Sequence, residues 1–333
     1  MIKSLTTTGI GSLPFTDAQE AVRFTLSACD IPFWPQLPAR SYLESMIPQY
    51  AEGFPGVVFD EKKERVYVRD DPEDLNIFYE AFSENREFPL SEEVAPGCAE
   101  FLRATEGHRY DALKGQITGP MTFSLGLKME DGRSVFANEE LREVSLLLLK
   151  KKAEWQIKEL SVRARSVIIF IDEPILSAIG SSSYLGVSEE ETMRMLTDIV
   201  SFIKEAGAVP GIHCCGRADW GLLMRTGTTI INFDAFDFYD SFRLYPEDLK
   251  EHLQRGGYIA SGIVPTTDAI NDTGLDELRD KILFQMDDLS RLTGGMDVSG
   301  RLILTPSCGA GGRSREEAEK VFSYLRRLKE TLL

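Results

Sequence analysis

The chain has 333 residues, 43% of them hydrophobic and 27% charged, and a net charge of −16. This composition is typical of a globular protein, and its acidity argues against nucleic acid as a partner because a phosphate-binding surface needs clustered Lys and Arg. The short basic clusters at residues 150–152 and at Arg163 and Arg165 are expected to be solvated helix faces. The apolar runs are too short to cross a bilayer, and the N-terminus lacks the apolar region of a signal peptide. We therefore expect a cytoplasmic protein with no membrane partner.

In chain order, a short β-rich run is repeatedly followed by a polar or glycine-containing turn and then by a segment with helical spacing. Strands are predicted at residues 5–10, 31–34, 114–118, 167–171, 209–213, 229–233, 258–263 and 301–305. The clearest helices are predicted at residues 17–29, 188–206, 275–289 and 315–332. No low-complexity segment, linker or repeat marks a boundary, so residues 1–333 are expected to form a single domain.

Strands that alternate with helices indicate parallel strands joined by crossovers. About eight such units over this length predict an α/β protein with a (β/α)₈ TIM barrel. A doubly wound open sheet is the alternative, but no Gly-x-Gly-x-x-Gly turn follows the first strand, and polar residues close nearly every unit. Residues 56–71 alternate around a Glu-Lys-Lys-Glu turn and predict a β-hairpin inserted after the second strand.

The five cysteines are an odd number, and in a cytosolic context they favour metal ligands, catalytic groups or apolar packing over a disulfide framework. Of the three histidines, His213 lies two residues before a cysteine. His108 and His252 lie in polar sequence and are expected at the surface. Apolar packing is the expected role of three cysteines, Cys29, Cys98 and Cys214.

The strand that ends at Gly-Ile-His-Cys-Cys-Gly carries the best candidate metal ligands. Because strand side chains alternate between faces, His213 and Cys215 are expected to point the same way, while Cys214 points the opposite way. Cys308 follows the last strand in a glycine-rich turn, and closure of a barrel would bring these strand ends close enough to share one ion. Two sulfurs and one nitrogen select zinc over hard cations, and Asp234 is the candidate for a fourth ligand.

Five motifs follow one another at predicted strand ends. They are Thr-Thr-Thr-Gly-Ile-Gly-Ser-Leu-Pro at residues 6–14, Gly-Gln-Ile-Thr-Gly-Pro-Met-Thr at 115–122, Ile-Asp-Glu-Pro at 171–174, His-x-Cys at 213–215 and Pro-Ser-Cys-Gly at 306–309. Together they resemble the catalytic domain of cobalamin-independent methionine synthase over nearly the whole chain.

The resemblance implies a barrel enzyme that holds a zinc ion and transfers a methyl group to the thiol of homocysteine, giving methionine. It also implies that Ser12 and Asp172 hold the amino-acid portion of the substrate, with Asp172 pairing with its ammonium group. Where the family has a carboxylate after its second strand, the nearest residue here is Gln36, which becomes a third candidate substrate-binding residue. Asp234 stands where the family has a glutamate ligand.

The family's mobile histidine, which is thought to supply a proton, is replaced here by residues 265–268, so no catalytic acid is assigned. The chain also resembles the stand-alone members of the family that lack an N-terminal barrel. That likeness implies a methylcorrinoid donor, often protein-bound, rather than polyglutamylated methyltetrahydrofolate.

Three other readings of the same residues compete with this one. A methylcobamide:coenzyme M-type methyltransferase shares the His-x-Cys…Cys zinc site, although Ile-Asp-Glu-Pro and the opening Thr-Thr-Thr favour the methionine synthase branch. A uroporphyrinogen decarboxylase-like enzyme shares the barrel but carries arginines near its N-terminus, and no arginine precedes Pro14. The third is a non-catalytic subunit that binds zinc or a corrinoid, in which no thiol would enter the zinc shell.

Overall fold

The computed structural model describes residues 2–69, 71–180, 184 and 186–332. The strands in this part of the chain are β1 Thr6–Thr7, β2 Val57–Asp60, β3 Arg65–Val68, β4 Tyr110–Thr118, β5 Lys128–Met129, β6 Ala164–Asp172, β7 Val209–Cys214, β8 Ile230–Phe233, β9 Tyr258–Val264 and β10 Leu302–Pro306. The helices are α1 Ala18–Ala28, α2 Met46–Ala51, α3 Pro72–Ser83, α4 Pro96–Ala104, α5 Pro120–Gly126, α6 Glu139–Ser161, α7 Glu189–Glu205, α8 Trp220–Arg225, α9 Tyr239–Phe242, α10 Pro246–Gln254, α11 Ala269–Asp272, α12 Leu275–Leu292 and α13 Arg315–Leu332.

A curled parallel sheet organises the described residues, with seven strands in the order β1-β10-β9-β8-β7-β6-β4. Every neighbouring pair in this sheet is parallel. The long helices cover it with apolar stripes at helical spacing, as in α13, which buries Ala318, Val321, Leu325 and Leu328. The α/β prediction is confirmed in this coarse form, which is consistent with a TIM-barrel-like fold.

The predicted second strand is replaced by an irregular segment, residues 31–36, that lies between the two edges of the sheet. It makes two isolated parallel bridges, Ser12 with Gln36 and Phe33 with Lys114. Pro32 and Pro35 lack the amide N–H groups that a regular ladder requires, which explains why no continuous strand forms. The segment therefore contacts both β1 and β4 through few backbone hydrogen bonds.

A second, smaller sheet contains β2, β3 and β5 among the described residues. β2 pairs antiparallel with β3, and β3 pairs parallel with β5. The antiparallel pair falls within residues 56–71, of which residue 70 lies outside the described part of the chain. Gly56 has a φ of +69°, and a Cβ there would lie 2.0 Å from the Arg69 carbonyl oxygen, so only glycine fits this position.

The basic cluster on α6 is not a solvated face, contrary to the sequence-based expectation. Lys151 and Lys152 are both buried. The Nζ atom of Lys152 donates to the Pro89 carbonyl oxygen at 2.7 Å and lies 3.5 Å from a Glu52 carboxylate oxygen. Lys152 follows Leu148 by four residues and so shares its buried stripe, where backbone and carboxylate oxygens compensate its charge.

His252 is also buried, with 1% of its surface exposed, so its expected surface position is wrong. It shares one face of α10 with Leu249 and Leu253, and its Nε2 donates to the Tyr258 carbonyl oxygen at 3.1 Å. Burial, aided by the nearby charge of Arg255, lowers the pKa of His252 to about 4 from its ordinary 6.5. The imidazole is therefore neutral in the folded protein.

A His252→Gln variant is expected to flatten the acid limb of the stability profile. Between pH 6.5 and about 4, the His252 imidazole binds a proton in the unfolded chain but stays neutral in the folded protein. The free energy of unfolding of the parent protein therefore falls as pH drops through this window, by up to about 1.4 kcal/mol per pH unit from this group. Urea unfolding of both proteins at several pH values measures the difference. Parallel profiles for parent and variant would contradict the assignment.

Candidate metal and substrate site

A cavity of about 310 Å³ lies at the carboxyl ends of the strands, where a barrel enzyme places its active site. Its lining combines sulfur, imidazole and carboxylate groups with apolar side chains. The lining residues are Ile10, Ser12, Gln36, Pro38, Glu44, Ser45, Met46, Asp172, Pro174, His213, Cys215, Cys308 and Gly309. Of the residues proposed from the sequence, all but Asp234 line this cavity.

The register of the sheet places three polar side chains side by side. Asp172 on β6 is the neighbour of His213 on β7, and His213 is the neighbour of Asn232 on β8. Residues at one level of a parallel sheet project to the same side, and Ile168 and Phe170 share the inward face of β6 with Asp172. An apolar layer therefore lies beneath a polar row at the mouth of the sheet.

His213, Cys215 and Cys308 form the group of potential metal ligands found among the described residues, and their ligand atoms lie within 4.8 Å of one another. Two strands, β8 and β9, separate β7 from β10 in the sheet, so the curl of the sheet brings Cys308 across to the other two residues.

The pairing of β10 with β9 is irregular at Thr305 and Pro306, just before Cys308. Gly262 of β9 lies there with no side chain, and a Cβ on it would sit 2.9 Å from Ser307 Cα and 2.5 Å from the Phe233 carbonyl oxygen. Irregularities of this kind redirect the chain after a strand. The close backbone approach at Gly262 thus helps to direct Cys308 over the strand ends.

The two neighbouring cysteines differ in how readily they lose a proton. The Cys308 thiol, together with His213, lowers the pKa of Cys215 well below its ordinary value against the opposing effect of burial. The proximity of Cys215, reinforced by burial, raises the pKa of Cys308 above the usual range. Burial disfavours the imidazolium of His213, but Cys215 and Asp172 outweigh it and raise the pKa of the ring. One thiolate is therefore already favoured at the site before any cation is considered.

The three ligands fit a tetrahedral zinc ion. Zinc–sulfur bonds of about 2.3 Å and zinc–nitrogen bonds of about 2.0 Å separate neighbouring ligand atoms by roughly 3.5–3.8 Å. The ligand atoms already lie within 4.8 Å of one another, which is close to this spacing. A soft thiolate pair with one imidazole is also the donor chemistry that zinc prefers over magnesium or calcium.

Asp172 is a buried carboxylate of the cavity, with 7% of its surface exposed. Its Oδ1 atom is buried and has no hydrogen-bond partner among the described residues. Burial raises the pKa of Asp172, while His213 and Lys114 act in the opposite direction. A buried acceptor without a partner is costly, so a cationic donor from a ligand would be stabilised there.

Glu173, the next residue, has a different role that the sequence did not separate from that of Asp172. Its carboxylate accepts hydrogen bonds from the backbone N–H groups of Met121 and Thr122, each at 2.8 Å, and from the Thr122 hydroxyl at 2.6 Å. A Cβ on Gly119 would lie 2.2 Å from this carboxyl group. The Asp-Glu-Pro and Gly-Pro motifs therefore fit each other, with Glu173 holding the start of α5.

A Glu173→Gln variant is expected to lose about 1–3 kcal/mol of unfolding free energy, because an amide cannot replace a carboxylate that accepts from three donors. Urea unfolding measures this loss, and Glu190→Gln on the exposed surface of α7 serves as the matched control. Equal midpoints for the two variants would contradict the structural role of Glu173.

Ser12 follows β1, Gln36 ends the segment at residues 31–36, and both line the cavity. The Ser12 hydroxyl accepts a hydrogen bond from the Gly311 N–H at 3.3 Å, and a Cβ on Gly309 would lie 2.1 Å from this oxygen. The glycines after Cys308 thus allow Ser12 to approach the metal-ligand turn. Gln36 is buried and donates through Nε2 to Gln49 at 2.6 Å, which holds it in the wall.

Glu44 is a cavity carboxylate that the sequence did not reveal. It ends a short 3₁₀ segment, Tyr42–Glu44, and is fully buried. Its carboxylate accepts from the Leu37 N–H at 3.0 Å and from Arg40 at 3.1 Å. Burial raises its pKa to about 7, although the contacts with Arg40 and Leu37 oppose the shift. The spacing Arg-x-x-x-Glu at residues 40–44 was the available signal, but nothing in it points to a cavity.

Asp234 is buried but does not belong to the group of ligand atoms within 4.8 Å. Its Oδ1 accepts from the backbone N–H groups of Phe236 at 3.0 Å and Asp237 at 2.9 Å. Burial raises its pKa to about 7 against these two hydrogen bonds. Asp234 therefore stabilises the turn after β8, and a role at the metal would have to use its other oxygen.

The remaining cysteines and His108 are away from this cavity. Cys98 and Cys214 are buried in the apolar core, and Cys29 packs against it. Burial raises the pKa of Cys214 to about 12, so this thiol stays neutral. His108 is exposed.

Comparison with known proteins supports the fold. A B12-independent methionine synthase from Shewanella sp. W3-18-1, solved with selenomethionine, is similar with a TM-score of 0.64 and 16% identity, over 99% of this chain and 98% of that chain. The fold is methionine-synthase-like. At this level of identity the similarity concerns the fold alone.

A second solved structure is less similar. A GH20 module of the pneumococcal exo-β-D-N-acetylglucosaminidase StrH has a TM-score of 0.45 and 11% identity, over 98% of this chain and 83% of that chain. Such a score is too low to support an argument. No protein-family model and no curated protein sequence matches the chain. No helix in the described part of the chain has the length and apolarity needed to cross a membrane.

Proposed function

We propose that this protein is a zinc-dependent methyltransferase that methylates the thiol of homocysteine to give methionine. The observation that carries the proposal is the convergence of His213, Cys215 and Cys308 beside a cavity in which an oxygen of the buried Asp172 has no hydrogen-bond partner among the described residues. A thiol-binding metal site and a site for a substrate ammonium thus share one cavity, which suits an amino acid with a thiol side chain.

His213, Cys215 and Cys308 would hold the zinc, and Asp234 is the proposed fourth ligand through Oδ2, its other carboxylate oxygen. When bound, zinc lowers the pKa of a coordinated thiol, so that the sulfur is a thiolate at neutral pH. In the transfer, the substrate sulfur attacks the methyl carbon of the donor. The sulfur–carbon bond forms as the bond between carbon and donor breaks, the electron pair leaves with the donor, and the thiol proton is released.

The charge of the cavity favours an amino thiol over a sulfonate thiol such as coenzyme M. Asp172 and Glu44 both line it, whereas Lys and Arg are absent from the residues described as lining it. A sulfonate would meet the Asp172 carboxylate, and like charges in a buried site cost several kcal/mol, whereas the Glu44 carboxylate is already paired with Arg40. An ammonium group would be attracted to Asp172, while Ser12 and Gln36 offer hydrogen bonds to the substrate carboxylate.

A direct assay tests the activity. The zinc-loaded protein is incubated with homocysteine and, in separate reactions, with methylcobalamin or methyltetrahydrofolate, and methionine is measured by mass spectrometry. We propose a methylcorrinoid as the donor, so methionine is expected with methylcobalamin. Coenzyme M replaces homocysteine in a parallel reaction. Failure to form methionine with either donor would contradict the proposed activity.

Zinc X-ray absorption separates the enzyme from a subunit that merely binds the metal. Addition of homocysteine to the zinc-loaded protein is expected to replace an oxygen or nitrogen scatterer with sulfur. A zinc shell that does not change with homocysteine would favour the binding subunit.

A further inference from the structure

Asn232 makes a buried hydrogen bond to the proposed zinc ligand His213. The two residues lie at the same level of adjacent strands, and Asn232 Oδ1 contacts His213 Nδ1. Asn232 is fully buried in the middle of β8, between Ile231 and Phe233. A polar amide in an otherwise apolar strand needs partners for all its polar atoms, so its contacts explain its presence.

The amide of Asn232 can point in only one direction. Its Nδ2 donates to the Ala260 carbonyl oxygen at 2.8 Å and to the Thr305 hydroxyl at 2.8 Å. A carbonyl oxygen only accepts hydrogen bonds, so the NH₂ group must face Ala260, and the amide oxygen must face His213. This oxygen can only accept, and His213 Nδ1 must therefore carry a hydrogen.

We infer that Asn232 is a positioning residue that holds His213 in the tautomer required for zinc. With the hydrogen on Nδ1, the lone pair of the neutral ring lies on Nε2, the nitrogen left for a metal. The inference rests on the proposed function, because it assigns a role toward the zinc of that site. It extends the site to β9 and β10, since Ala260 and Thr305 fix the orientation of the amide.

The choice of an amide over a carboxylate also follows from the surroundings. An aspartate at position 232 could accept from His213, but it could not donate to Ala260 or Thr305. It would also add a negative charge to a buried site that already contains the Asp172 carboxyl group, where like charges repel strongly. Asn232 orients the ring and adds no charge.

The test measures zinc affinity by competition with a chromophoric chelator and the visible spectrum of the cobalt-substituted protein. Asn232→Leu keeps the branching of the side chain and removes the hydrogen bonds, and it is expected to weaken zinc binding about 10–100-fold and to alter the cobalt spectrum. Asn232→Asp restores the acceptor for His213 and is expected to bind zinc at least about fivefold more tightly than Asn232→Leu.

Thr305→Val keeps the branched shape of the side chain and removes one of the two anchors of the amide. It is expected to weaken zinc binding by a smaller factor, about 3–10-fold, and it tests the inference even where Asn232→Leu does not fold. If the parent protein binds one zinc per chain and all three variants match its affinity, the inference is overturned and the proposed function stands. If the parent protein binds no zinc, the proposed function itself fails.

Discussion

A Cys215→Ser or Cys308→Ser variant is expected to lose stoichiometric zinc. Each substitution replaces a soft thiolate ligand with a hydroxyl that stays protonated at neutral pH, and only two of the three clustered ligands remain. Loss of an outer hydrogen-bonding partner already weakens zinc binding about 10–100-fold, so the loss of a direct ligand should exceed about 100-fold. Metal analysis by mass spectrometry after gel filtration measures zinc per chain.

Cys214→Ala is the matched control for these variants, since it removes a thiol from the adjacent position without touching the cluster. Cys214 is buried in the apolar core, and its sulfur contacts the Gly216 carbonyl oxygen. The control is expected to keep the zinc content of the parent protein, with a modest loss of stability from the missing sulfur. A Cys215→Ser or Cys308→Ser protein that still holds one zinc per chain would rule out the metal assignment.

An Asp172→Asn variant is expected to lose most of its kcat/KM for homocysteine while it retains zinc. The amide has nearly the same shape, but it removes the negative charge that would pair with the substrate ammonium. Truncating one partner of a buried charge pair costs about 2–5 kcal/mol, so a loss of at least about 30-fold is expected.

An analogue of homocysteine that lacks the amino group provides the control for the role of Asp172. Its carboxylate and thiol can still bind, but Asp172 has nothing to pair with, so the parent protein and Asp172→Asn should methylate it at similar rates. An equal loss of kcat/KM for homocysteine and for this analogue would show that Asp172 acts on the fold or the metal and does not recognise the ammonium group.

The parts of the fold that the sequence predicted are those determined by local periodicity. The runs that became β6, β7, β8, β9 and β10 are continuous and apolar, and each ends in a polar or glycine-containing turn, so their positions could be predicted to within a few residues. Residues 31–34 were predicted as a strand from their apolar character, although Pro32 lies within them and Pro35 follows directly. The missing N–H groups of these prolines prevent the regular ladder.

In the candidate site, too, some features could be predicted from the sequence and others could not. Alternation along β7 separated Cys215 from Cys214, because side-chain direction in a strand is a local property. The contribution of Glu44 depends on how a loop folds over the cavity, and the role of Asn232 depends on partners in two other strands. Neither could be obtained from spacing along the chain. His252 and Lys152 were expected at the surface because they are polar. Their positions in α10 and α6 instead place them on the buried faces of these helices.

The irregular segment at residues 31–36 has a mechanical consequence for the cavity. Gln36 and Pro38 belong to a wall that few backbone hydrogen bonds tie to the sheet, whereas His213 and Asp172 stand on β7 and β6, which are paired along both sides. The side of the cavity that would bind the reacting sulfur is therefore expected to be more rigid than the side that would contact the rest of the substrate. Such a division lets the size of the bound thiol vary without disturbing the geometry of the metal ligands.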